Sequence, residues 1–194
     1  MAASNDYYFT SEWRVKGTVK EVADILNDLL ALVDWWPSVY LEIKELNPGD
    51  KDGVGRRVEL VTKGWLPYTI KWQFAVTESR YPYGSTIQAY GDFDGVGNWY
   101  FEQEGEWVKM KYDWRIKAEK PLFRMFSFML KPIFSANHRW AMARGEESLK
   151  LELERRHAAT PAEAAKIPQP PPPTFPHRGE YLKRRAQSPL NGNS

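Results

Sequence analysis

The sequence predicts an α+β fold: an antiparallel sheet of about seven strands, covered by one long C-terminal helix, with two short helices after the first strand. Three observations carry this. Between residues 40 and 119, apolar and polar residues alternate in segment after segment, separated by short turn signals. One further alternating stretch near the N-terminus is followed by helical periodicity. After the last strand, helical periodicity returns and runs from Pro132 to Arg156.

The elements follow in order. Phe9, Ser11, Trp13 and Val15 alternate with Thr10, Glu12, Arg14 and Lys16, which is a half-buried strand that Gly17 breaks. Thr18 with Glu21 three residues on is a capping box, and the helix it starts has a stripe of Val19, Val22, Ile25, Leu26, Leu29, Leu30 and Val33. Pro37 ends it, and a short second turn leads into a strand from Tyr40 to Leu46. Asn47-Pro48-Gly49-Asp50 and Asp52-Gly53 are turns. Val58, Leu60 and Thr62 then alternate with Arg57, Glu59 and Lys63. Tyr68, Ile70, Trp72, Phe74 and Val76 alternate with Thr69, Lys71, Gln73 and Thr77. Pro82-Tyr83-Gly84 turns into Ile87, Ala89, Gly91 and Phe93. Asp94-Gly95 is read as a turn into Trp99 and Phe101, and Glu104-Gly105-Glu106 as a hairpin into Val108, Met110, Tyr112, Trp114 and Ile116. Strands joined by short turns pair antiparallel, with one face wet and one covered.

Composition narrows the function classes. The 194 residues suit one domain, 1–156, with a sizeable core. Residues 157–194 hold eight of the 14 prolines and no tryptophan, so this tail is expected to stay disordered. A protein partner for its Pro170–Pro173 run is conceivable as polyproline recognition, but nothing else in the sequence supports one. The tail carries five Lys/Arg against two Asp/Glu, leaving 22 against 23 in the body. A near-neutral body argues against nucleic acid as a partner. The absence of cysteine excludes thiol chemistry and fits a cytoplasmic protein, as does an N-terminus without a signal-peptide pattern. No run of about 18 apolar residues exists, so no membrane span is expected.

The last helix has an unusual inner arc. Phe134, His138, Ala141, Gly145, Leu149 and Leu153 share it, and its midline is Asn137, His138, Ala141, Gly145 and Ser148. A helix on a dry core carries bulk there. Small and polar residues point to a cavity, or to very close packing at Gly145, and a hollow on the order of 300–1,000 Å³ is expected. The segment 122–130 is apolar almost all round and reads as a lid or buried helix, with a membrane-touching patch or a partner helix as alternatives.

The order of elements resembles the helix-grip fold of the START-like (SRPBCC) superfamily, which includes the birch-pollen allergen (Bet v 1) fold and the polyketide cyclase/dehydrase-like proteins. The local carriers are Trp35-Trp36-Pro37, the stretch from Gly91 to Trp99, and Asn137-His138-Arg139-Trp140 with Met142 and Arg144-Gly145-Glu146. The resemblance covers roughly residues 8–156. It implies a curved sheet wrapped round the long helix with an apolar cavity between them, and it does not fix the chemistry.

The ligand-binding candidates are therefore Trp36, Val58, Leu60, Trp72, Phe74, Ile87, Trp99, Phe101, Tyr112, Trp114, Phe126, Leu130, Phe134, His138 and Ala141. Tyr112 would be a polar handle in an apolar wall. His138 reads first as a core histidine with a hydrogen-bond partner and second as an acid–base group. With His157 and His177 as the only other histidines, no metal is expected, and no cofactor motif is present. Asp92, Asp94, Glu59 and Arg115 are out of phase with the apolar face, which opposes paired-carboxylate catalysis. Gly91, Gly95 and Gly97 lack a phosphate loop's context and are expected to let the sheet bend. No catalytic residue is assigned. The expected function is binding of an apolar or aromatic, lipid- or polyketide-like small molecule, as carrier or sensor. The alternatives are a cyclase, aromatase or dehydratase working in the same cavity, and an interaction module acting through 122–130.

Overall fold

The structure, a computed structural model, describes residues 6–118 and 121–175. Seven strands, β1 (Asp6–Lys16), β2 (Tyr40–Asn47), β3 (Arg57–Thr62), β4 (Ile70–Ser79), β5 (Gly84–Gly91), β6 (Phe93–Glu104) and β7 (Trp107–Ala118), form one antiparallel sheet. Their order is β1-β7-β6-β5-β4-β3-β2, so every hairpin neighbour in sequence from β2 to β7 is a neighbour in space. Helices α1 (Val19–Asn27) and α2 (Leu32–Trp35) follow β1, α3 (Pro121–His157) follows β7, and a single turn, α4 (Pro161–Ala164), comes last.

The Thr18–Glu21 capping box is present in both directions. The helix it starts is shorter than its stripe implies. It ends at Asn27, a 3₁₀ turn spans Leu29–Ala31, and α2 begins afresh. The break rotates the phase, so Leu29 is buried while Leu30 is 44% exposed. The expected turn at Asp94-Gly95 lies instead at Gly91-Asp92. Gly91 has φ +101°, a left-handed conformation suited to glycine, and Gly95 is already paired with Ala89 inside β6. Gly97 allows a close approach. A Cβ there would lie 2.9 Å from Trp114 Cε3, inside the aromatic face of β7.

Pro132 was expected to begin the last helix. Helix α3 instead starts at Pro121 and runs 37 residues, about 55 Å, with Pro132 in its interior. Pro132 is exposed, so the carbonyl deprived of its N–H partner can turn to water. The 122–130 segment is thus part of the same helix, and its side chains lie outside the described residues.

The tail also departs from expectation as far as residue 175. Arg155 Nη2 donates to the Pro168 carbonyl at 2.6 Å, Pro170 is buried, and Thr174 Oγ1 donates to the Trp65 carbonyl at 3.5 Å. Composition missed this because the contacts are made by backbone carbonyls and isolated side chains, not by an apolar stripe. Residues 176–194 lie outside the described residues.

Candidate functional site

The space between sheet and α3 is hollow along part of its length. A smaller chamber of about 150 Å³ lies there, and a larger one of about 520 Å³ adjoins it between the sheet, α1, α2 and the loop after β2, with Met142 as its one described residue from α3. Trp36, Tyr40, Trp72, Tyr112 and Met142 line both and form the partition. Aromatic contacts hold this partition. Trp36 packs on Trp13 and Tyr40 at centroid distances of 5.4 and 5.1 Å, and Trp99 stacks on Tyr112 at 4.4 Å. Trp72 Nε1 donates to Thr62 Oγ1 at 2.9 Å, which fixes its indole.

Most residues singled out from the sequence meet at these chambers. Trp114, Phe134, His138 and Ala141 line the smaller one; Phe74, Ile87, Trp99 and Phe101 line the larger; Trp36, Trp72 and Tyr112 line both. Val58 and Leu60 line neither. They are fully buried side chains of the solid core, because this stretch of β3 lies under packed side chains and not under the hollow. Phe126 and Leu130 lie on the first part of α3, with side chains outside the described residues. The larger chamber falls in the expected size range and the smaller falls below it.

His138 stacks on Phe9 at 4.3 Å, and its Nε2 lies 3.5 Å from Ser11 Oγ. Burial, with the charge of Arg139 nearby, pushes its pKa down to about 4. It is therefore a neutral wall residue at pH 7. Burial also holds the Tyr112 hydroxyl well above its ordinary value, and raises Tyr68 to about 12, so both stay protonated. Among the described residues, no group of three His, Cys, Asp or Glu could hold a metal.

Three residues of the smaller chamber were not among the ligand-binding candidates. Lys63 was placed on the wet side of β3, yet it is 6% exposed and lines the chamber. Strand β3 ends at Thr62, so the alternation stops one residue early and Thr62 and Lys63 are both buried. Asn137 ties the next loop to α3 by accepting from Leu66 N at 3.3 Å, and Gly64 leaves no room for a Cβ beside it. Tyr40, on β2, had no aromatic neighbours in sequence on its face to mark it as a wall residue.

No family model matches the sequence, and no curated protein does. Solved structures do match. The Zhui aromatase/cyclase from Streptomyces sp. R1128 superposes with a TM-score of 0.63 at 15% identity, covering 79% of this chain and 97% of that one. A START superfamily protein from Mycobacterium smegmatis gives 0.63 at 12% identity, with 77% and 98% covered. This chain has the START-like helix-grip fold. Norcoclaurine synthase from Thalictrum flavum, solved with dopamine and hydroxybenzaldehyde, has the same fold at a TM-score of 0.56 and 12% identity, with 80% and 90% covered. At such identities the likeness concerns the helix-grip backbone, and the residues of the two chambers are this chain's own. Among the described residues, no helix is long and apolar enough to cross a membrane.

Proposed function

We propose that the protein binds an apolar or aromatic small molecule in the hollow between sheet and α3, as a carrier or sensor. The observation that supports this most is the paired chambers, walled mostly by aromatic and aliphatic side chains from the sheet, α1, α2 and α3, with Lys51, Asp52 and Arg56 also lining the larger. An apolar cavity of about 150 Å³ can stay dry and accept a benzene-sized group. The larger chamber would accept the rest of a longer molecule if Trp36 or Met142 shifts. The Tyr hydroxyls, kept protonated, offer hydrogen bonds without charge. A cytoplasmic setting fits the cysteine-free sequence.

The enzyme reading, a cyclase or aromatase, draws on His138 in the chamber wall and on the fold likeness to the Zhui protein. A histidine whose pKa is near 4 is a weak base and a poor proton store at neutral pH, so binding without turnover is the reading adopted. Titration with N-phenyl-1-naphthylamine, a neutral probe that fluoresces in apolar surroundings, tests it. Saturable enhancement, lost in Ala141→Trp, is expected. A wild-type protein that leaves the probe dark would end the carrier and enzyme readings together.

A further inference from the structure

The smaller chamber is walled mostly by aromatic and aliphatic side chains with neutral polar groups among them, and among the described residues Lys63 is the one cationic side chain in its wall. A buried ammonium ordinarily has an anionic partner. Among the described residues Lys63 has no carboxylate. Its Nζ lies 3.4 Å from the carbonyl oxygen of Phe175 and 4.9 Å from the centre of that residue's ring. Both are substitutes for an anion: a carbonyl supplies a partial negative charge and an aromatic face supplies a quadrupole. Both come from the docked tail, which arrives over the loop that Asn137 holds against α3. The lysine is thus fixed at the chamber's edge by its own strand end, while its partner is borrowed from the docked tail.

We infer that Lys63 anchors the anionic end, a carboxylate above all, of an apolar ligand whose ring or chain fills the smaller chamber, and that Phe175 holds that place until the ligand arrives. The inference rests on the ligand-binding reading of the hollow and names the chemistry of one end of the ligand. A carboxylate would give Lys63 a charge-assisted hydrogen bond in low dielectric, which the Phe175 carbonyl gives only weakly. Burial lowers the lysine's pKa, and an anion beside it acts in the opposite direction, favouring the charged form. The arrangement also selects against cationic ligands, which would meet a like charge where Lys63 enters the wall.

The test is calorimetric titration of the full chain with 3-phenylpropionate and with its neutral amide, 3-phenylpropanamide. The wild type should bind the acid about tenfold tighter or more than the amide. Lys63→Met keeps the length of the stem and should bind both alike. Phe175→Ala should tighten the acid severalfold and leave the amide unchanged. Equal affinities for acid and amide in the wild type would overturn the anchor, and this comparison needs no variant to fold. An acid preference that survives in Lys63→Met would overturn it as well. If N-phenyl-1-naphthylamine binds while acid and amide are equal, the anchor alone fails. If the probe does not bind at all, the hollow fails and the anchor goes with it.

Discussion

From Gly145 to His157 the inner face of α3 carries Ser148, Leu149 and Leu153, which are 0, 0 and 2% exposed. From Phe134 to Met142 the same face carries Phe134, Asn137, His138, Ala141 and Met142 around a void. The helical phase is the same in both halves; what changes is the bulk and polarity of the residues. Leucine fills the space to native density in one half, and smaller or polar residues leave it open in the other. Gly145 stands at the join. A Cβ there would lie far inside contact distance of the Trp36 indole, so the glycine lets the partition's tryptophan lie against the helix backbone. A packed half can hold the domain together while the other half stays hollow, and the cost of the void is confined to one end.

The largest expected contrast is between truncations in the two halves. Leu149→Ala should cost about 2–5 kcal/mol in urea unfolding, because it opens a cavity in solid core. Phe134→Ala, beside an existing void and half-buried, should cost roughly half of that or less. Equal costs would mean the hollow is filled in solution.

Next is the pH dependence of the hollow half. The folded pKa of His138 is about 4, below the ordinary 6.5. Between those values the unfolded chain binds the proton and the folded one does not, so stability falls as pH drops from about 6.5 to 4 and is constant above. The loss is on the order of 2–3 kcal/mol. His138→Gln should lack that part of the slope when the two proteins are unfolded at pH 7, 5.5 and 4.5. Parallel profiles would show that His138 titrates freely.

Gly145→Leu tests the join. Displacing Trp36 should cost about 1–3 kcal/mol and weaken binding of N-phenyl-1-naphthylamine, since the partition would be pushed into the chambers. Wild-type stability would remove the close contact.

Much of this was legible in the sequence. The alternation of β4 and β7 is undisturbed, and the phase of α3 put Gly145, Leu149 and Leu153 inward from residue types alone. The helical continuation through Pro132 was not legible, because a proline on an exposed face breaks one hydrogen bond without ending the helix. Lys63 was hidden by a strand that stops one residue before the pattern does. The docking of 158–175 was hidden by composition, since carbonyls and prolines bury little and still find partners. Truncation after Thr160 should therefore lower the melting temperature by about 2–4 °C, the equivalent of roughly 1 kcal/mol, where a free tail would give no change.

The central claim is that the Phe134–Met142 stretch of α3 faces a space meant to be occupied. Native mass spectrometry of the protein purified from its own host tests this most directly. The account predicts a species heavier than the polypeptide by one small organic molecule, released by solvent extraction and returning on addition of the extract. A bare polypeptide that neither retains nor rebinds any extracted molecule would contradict it.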